Sequence, residues 1–322
     1  MKLNFRYLGA GVCAALALAA AGTADAQNYP TGRIIFVVGF PAGGFADGVA
    51  RLVGEHIGKV LGQQVIVENR GGAASNIAAH AATTAKADGY TVLVTTTAVT
   101  INATLYKKLD YSLADLTAVA IPVQAPETLT VHPSKPNTLK SFLAMAKGKE
   151  VTFASAGVGS GSFLSMHYFL KDIAKVKAAH VPFRGGGPAT QAAIGNQVDS
   201  LAATLSGNTA AQVKAGKLVC LGVAAADRFP TLPDCPTFAE GGFPGFEAAS
   251  WVGFFVPAKT DGTIVAKLND AINSILDDAP TRAKLSANGT LTKRSPADTA
   301  SFLQSEVQNW RKMVLAAGVS VQ

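Results

Sequence analysis

Apolar positions along this chain come in short continuous runs separated by helix-spaced stretches. The strand-like runs are Arg33–Phe40, Gln64–Asn69, Tyr90–Thr97, Thr128–His132, Val151–Ser155, Ala179–Phe183, Val198–Thr204, Leu218–Ala224 and Trp251–Pro257. Ala-rich segments such as Val49–Leu61 and Asn76–Lys86 lie between them and repeat at the helical period. Short apolar strands alternating with helices predict mainly parallel sheets covered on both faces. Proline-bearing segments at Ile121–Pro126 and Phe243–Pro257 interrupt the pattern, and beyond the second the chain turns helical: Ile264–Leu276, Thr281–Ala287 and a closing helix that ends at Gly318. Ser295-Pro296 supplies that last helix with an N-cap and a first-turn proline. A helical tail that returns to the first half makes the chain cross between lobes twice. The expected architecture is α/β with two lobes, 27–125 plus 252–322 and 126–251, joined by a two-crossing hinge around a cleft.

The first 26 residues read as an export signal. Lys2 and Arg6 precede the apolar stretch Leu8–Ala21, and Ala24-Asp25-Ala26 fits a cleavage site before Gln27. Cleavage after Ala26 leaves 296 of the 322 residues and places the mature chain in the periplasm. No later run reaches the roughly 18 uninterrupted apolar residues of a membrane span. The formal charge is +7, of which Lys2, Arg6 and Asp25 contribute +1 and the mature chain +6. Without basic runs or interleaved aromatics this argues against nucleic acid and favours encounter with anions. Cys220 and Cys235 are the only mature cysteines. They either form a disulfide suited to an oxidising compartment or leave Cys220 as a small buried hydrophobe.

Four glycine- or hydroxyl-rich turns each follow a strand-like run. In parallel α/β sheets such turns gather at one edge. The first, Phe40-Pro41-Ala42-Gly43-Gly44-Phe45-Ala46-Asp47, leads from a strand into a helix, so its amides and the helix dipole suit a carboxylate or phosphate. The second runs from Asn69 through Arg70, Gly71, Gly72, Ala73, Ala74 and Ser75 to Asn76. The third includes Ser155, Gly157, Gly159, Ser160 and Ser162, and the fourth follows Phe183 as Arg184-Gly185-Gly186-Gly187-Pro188. Thr95, Thr96 and Thr204 add hydroxyls at strand ends. Enzymatic readings fare worse: there is no G-x-S-x-G elbow, no P-loop and no H-E-x-x-H, and the five histidines are scattered. No metal and no cofactor is expected.

The ordered motifs FPAGGFAD (Phe40–Asp47), VENRGGAASNI (Val67–Ile77), ADGYTVLVTT (Ala87–Thr96), FASAGVGSGS (Phe153–Ser162), HVPFRGGGPA (His180–Ala189) and LPDCPTFAEGGFPGFEAASWVGFFVPA (Leu232–Ala258) resemble the tripartite tricarboxylate transporter substrate-binding proteins, the Bordetella uptake gene (Bug) receptors. The resemblance covers essentially the whole mature chain. It implies a type II periplasmic binding protein fold that closes on a small organic carboxylate without catalysis, and membrane permease subunits as partners. It also implies that Phe40–Asp47 and Ser155–Ser162 act as opposing pincers. Departures at Phe45, Gly71, Ser162, Phe163 and Ala202–Thr204 lean toward an apolar-bodied, even aromatic, acid walled by Phe45, Phe163 and Phe183. A monomer is expected. A sensor feeding a membrane signalling system, or a hydrolase using Ser160, are the alternatives.

Overall fold

The computed structural model describes residues Asn28–Gln322, so the export signal lies outside the described residues. Its elements follow in chain order. The first third holds β1 (Ile34–Val38), α1 (Phe45–Leu61), β2 (Val65–Asn69), α2 (Asn76–Thr83), β3 (Thr91–Thr96) and α3 (Ala98–Leu105). The middle holds β4 (Leu116–Val131), α4 (Leu139–Gly148), β5 (Val151–Ser155), α5 (Gly161–Tyr168), β6 (Ala178–Pro182), α6 (Gly186–Ile194), β7 (Ser200–Thr204), α7 (Gly207–Lys214) and β8 (Val219–Val223). The chain closes with β9 (Ala249–Pro257), α8 (Gly262–Asn273), α9 (Ala279–Ser286), β10 (Thr290–Leu291) and α10 (Pro296–Ala317).

One strand belongs to two sheet sections. The first half of β4 pairs antiparallel with β9, which continues through β3 and β1 to β2. Its second half pairs with β7 and β8, and β7 leads on to β5 and β6. The exchange falls between Pro126, opposite Ala249, and Glu127, opposite Thr204. The expected break at Ile121–Pro126 is therefore a strand interior, and β4 begins at Leu116 instead of Thr128. Proline cannot donate to a ladder and sits in sheets at irregularities. Here the register against β9 shifts twice, between Ala118 and Ala120 and between Ala120 and Val123, which accommodates Pro122. Trp251–Pro257, expected as a strand, is the body of β9, which starts two residues earlier at Ala249.

Side chains that alternate along the strands feed cores on both sheet faces. From β9, Val252, Phe254 and Val256 join Phe36, Val49, Val53 and Ile57 on one face, and Trp251 and Phe255 join Val99 and Tyr111 on the other. The second section is held by an aromatic cluster in which Phe169 packs on Phe238, Phe243 and Phe246 at centroid separations of 4.5, 5.0 and 4.9 Å. The closing helix, α10, packs beside α3 and β4 and also on α5. Its Trp310, Val314 and Ala317 share one core with Ile101 and Leu105 of α3 and with Leu164 of α5. The tail therefore touches both sections.

Cys220 of β8 and Cys235 are joined by a disulfide that closes a loop of sequence separation 15. A loop of that size constrains the unfolded chain by about 3 kcal/mol. Denaturant melts of the mature protein with and without reductant should differ by about that amount, and superimposable melts would contradict a structural role for the bridge.

Candidate functional site

Four helix N-termini surround a cavity of about 50 Å³ between the two sheet sections. Gly44, Phe45 and Ala46 open α1, Ser160, Gly161 and Ser162 open α5, Gly186 opens α6, and Ser206, Asn208 and Thr209 open α7. Phe40, Thr96, Ala203, Thr204 and Ser250 are among the residues that complete the lining, and none of the described lining residues is charged. The first N–H groups of a helix have no intrahelical acceptor, so the lining is rich in donors and carries the positive ends of four dipoles. Two of these helices already have side-chain caps. Ser160 Oγ accepts from the Phe163 amide at 3.1 Å, and Ser206 Oγ accepts from Thr209 at 3.4 Å. The other two, α1 and α6, start at Gly44 and Gly185, which have no side chain to offer. Those uncapped ends meet across the cleft: a methyl on Gly44 would lie 3.9 Å from the Gly186 nitrogen. This is the best-prepared position for an anion.

Asp47 holds the Phe40–Asp47 turn from behind. Its Oδ2 accepts from the Gly43 amide at 3.0 Å and its Oδ1 from Asn69 Nδ2 at 2.9 Å, while Arg51 pairs with it at 2.9 Å. Burial alone would raise its pKa, but the bonds from Arg51, Gly43 and Asn69 outweigh it and hold the group below the usual carboxylate range. Gly43 needs its freedom, because its φ is +80°. Across the cleft, Asn208 Nδ2 donates to the Gly43 carbonyl at 3.2 Å, and the Gly207 amide donates to Asn288 Oδ1 at 3.1 Å. These bonds tie the two sections together at the rim.

Of the residues expected from sequence, Phe40, Gly43, Gly44, Phe45, Thr96, Ser160, Ser162 and Thr204 line this cavity. Ser75, Gly157, Phe183 and Arg184 line a separate groove on the far side of Phe40. Pro41 packs between the backbones of Gly71 and Gly185, at the junction of the two sections. Three expected hydroxyl and amide residues bond to other side chains around one turn. Thr95 Oγ1 donates to Ser75 Oγ at 2.7 Å, and Asn76 Oδ1 accepts from Asn102 and Tyr111. These bonds hold the turn in which Ala73, Ala74 and Ser75 all have positive φ. Gly159 lies against Ala74 and Asn102, where its φ of +95° and the absent side chain permit the approach. Ser155 Oγ accepts from the Gly157 amide and lies 2.7 Å from His180 Nε2. Burial, and then His167, push His180 down to about 4, so it is neutral at pH 7.

Phe163 does not wall the cleft. It lies in the second core, stacked on Phe153 and 4.3 Å from the His180 ring. Ser160 Oγ donates to the Gly157 carbonyl at 2.7 Å as part of its cap, and its other side-chain neighbour is Ser162. Gly186, from the fourth expected turn, also lines the cavity, whereas sequence reasoning missed Ser206, Asn208, Thr209 and Ser250. The run Ser206-Gly207-Asn208-Thr209 directly after β7 is a legible N-cap signal. Ser250 carried none, since nothing local says that its strand passes beneath the cleft.

Residues 49–319 match the family described as tripartite tricarboxylate transporter family receptor. The chain belongs to that family. Protein BugT of Bordetella pertussis is 32% identical over 320 residues, 95% of this chain and 96% of that one. The structure of the periplasmic binding protein BugD superposes with a TM-score of 0.86 at 30% identity, covering 91% of this chain and all of that one. MatC of Rhodopseudomonas palustris, solved with bound malate, gives 0.82 at 34% identity over 89% and 100%. The receptor thus has the two-lobed α/β fold of periplasmic binding proteins. Asn208→Ala removes one hydrogen bond between the two sections while leaving both cores intact. It should weaken binding of an acid about three- to tenfold by calorimetry with an unchanged melting temperature in its absence. Unaltered affinity would show that this bond does not contribute to binding.

Proposed function

We propose that this receptor captures a small organic acid between its lobes and hands it to a tripartite tricarboxylate transporter permease. The observation that carries the reading is the uncharged, donor-rich cavity at the meeting point of the α1 and α6 N-termini. A carboxylate there accepts main-chain N–H groups, at roughly 1.5–3 kcal/mol for each charge-assisted bond. Phe40 and Phe45 give the cavity one apolar side, suited to a hydrocarbon body, aliphatic or aromatic. The malate bound to MatC supports the same chemical class. A cavity of about 50 Å³ holds only a few water-sized groups, so an acid enters by parting of the lobes and is enclosed when they return.

The lobes in this reading are 27–125 with 252–322, and 126–251, and the hinge is the pair of crossings made by β4 and β9. Closure is selected by ligand because the amides of both sections meet one anion only when the cleft is shut. The closed rim, which includes the Asn208 and Asn288 contacts, is then the surface that differs between loaded and empty receptor.

A thermal-shift screen of the mature protein against di- and tricarboxylates, amino acids, nicotinate and aromatic diacids tests this. One class of acid should raise the melting temperature with a logarithmic dependence on concentration, equivalent to about 2.7 kcal/mol at a hundredfold excess over Kd. A flat response to every acid would refute the reading. Gly43→Val should abolish the shift while the unliganded protein still melts cooperatively, because only the left-handed turn is disturbed.

A further inference from the structure

One carboxyl group lies beneath the cavity floor with no charge to balance it. Glu127 is fully buried, and it is the residue at which β4 leaves β9 and joins β7. Its Oε1 accepts from Ser250 Oγ at 2.5 Å and from Thr204 Oγ1 at 3.2 Å, and its buried Oε2 has no hydrogen-bond partner. Thr97 Oγ1 stands 3.0 Å from Ser250 Oγ. Ser250 has a single hydroxyl proton and directs it to Glu127, so Thr97 donates to Ser250. Gly161 closes the cluster from α5, where a methyl would come within 2.9 Å of Oε1. Thr204, Ser250 and Gly161 all line the cavity, so Glu127 stands one layer behind the ligand position.

Two hydroxyls and a glycine meet this carboxyl, Thr204 from β7, Ser250 from β9 and Gly161 from α5, with Thr97, ahead of α3, bonded to Ser250 behind them. Neither cation nor second carboxylate among the described residues contributes to its titration. Burial, partly offset by the bonds from Ser250 and Thr204, raises it from 4.5 to about 7. An anion brought into the cavity adds a like charge at short range in a medium of low polarity.

We propose that Glu127 is a proton-binding positioning residue of the cleft, which takes up one proton as an anionic ligand is enclosed and sets the direction of the Ser250 and Thr204 hydroxyls. The inference rests on the carboxylate-receptor reading and adds a proton to it. Below pH 7 the group already carries its proton and affinity is constant. Above it, each captured anion must bring a proton, and affinity falls by up to tenfold per pH unit. In the unliganded protein the sign is equally fixed. A raised pKa contributes stability that is complete below 4.5, is lost as pH rises toward about 7, and does not change further.

The test uses calorimetry of the mature wild type and Glu127→Gln with malate as probe, from about pH 6 to pH 9, in buffers of differing ionisation enthalpy. The wild type should take up close to one proton per malate above neutrality and lose affinity with pH, and Glu127→Gln should do neither. Parallel profiles in the two proteins would overturn the proposal. Melting curves without ligand give a second arm: the wild type should lose melting temperature relative to Glu127→Gln between about pH 5 and pH 7, and equal slopes would overturn it as well. Ser250→Ala, which deletes a donor to the ionised form, should move the bend in the wild-type affinity profile to higher pH, and an unmoved bend counts against the proposal. If neither malate nor any acid of the screen binds, the carboxylate reading falls and this proposal with it, whereas tight binding independent of pH refutes the proposal alone.

Discussion

Main-chain N–H groups at helix starts are the resource on which this receptor is built. Each α-helix leaves its first amides without an intrahelical acceptor, and four helices direct that end to one cavity. Two of the four are capped by their own serines and two begin at glycine. The capped pair is self-sufficient, and the uncapped pair has amides to share. None of the described residues lining the cavity is a lysine or arginine, so in the proposed site selectivity would rest on shape and direction more than on net charge. Asp47 illustrates the supporting work: a buried carboxylate, held ionised by Arg51, Gly43 and Asn69, fixes the loop whose amides face the cleft.

The second constraint is that both lobes share a strand. Because β4 pairs with β9 over its first half and with β7 and β8 over its second, the two sheet sections are joined through the short stretch where partners change. Pro126 and Glu127 occupy that stretch, and the residues that meet there from the other strands, Ser250 and Thr204, face the cavity as well. The junction of the two sections and part of the cavity wall are thus one cluster of side chains. The helix α10, which packs on α3 and α5, adds a second mechanical link outside the sheet.

Much of the fold was legible because its signals are local. Runs such as Ile34–Val38 and Val151–Ser155 are apolar over a strand's length, and Ser295-Pro296 announces the last helix by capping chemistry alone. The mistaken break at Ile121–Pro126 arose from the same local reasoning: proline signals interruption, and only the shifted register against β9 shows how a strand accommodates it. Phe163 and Phe183 expose a related limit. An aromatic residue next to a functional loop can face the core or the cleft, and the choice depends on which ring it meets across the lobe. For Phe163 that ring is Phe153 or His180.

What the sequence determined by itself was the alternating α/β architecture, the glycine-rich turns after the strands and the absence of catalytic motifs, since each is written in residues adjacent along the chain. The tertiary structure decided which of those turns share a cavity and which, like Ser75 and Arg184, face another groove. It also brought Ser250 and Asn208 to one cavity, and Ser250 onto Glu127, although they are far apart in sequence. The physical reason is that burial, dipole direction and hydrogen-bond partnership at the cleft come from segments brought side by side by the sheet, and no local pattern encodes such a meeting.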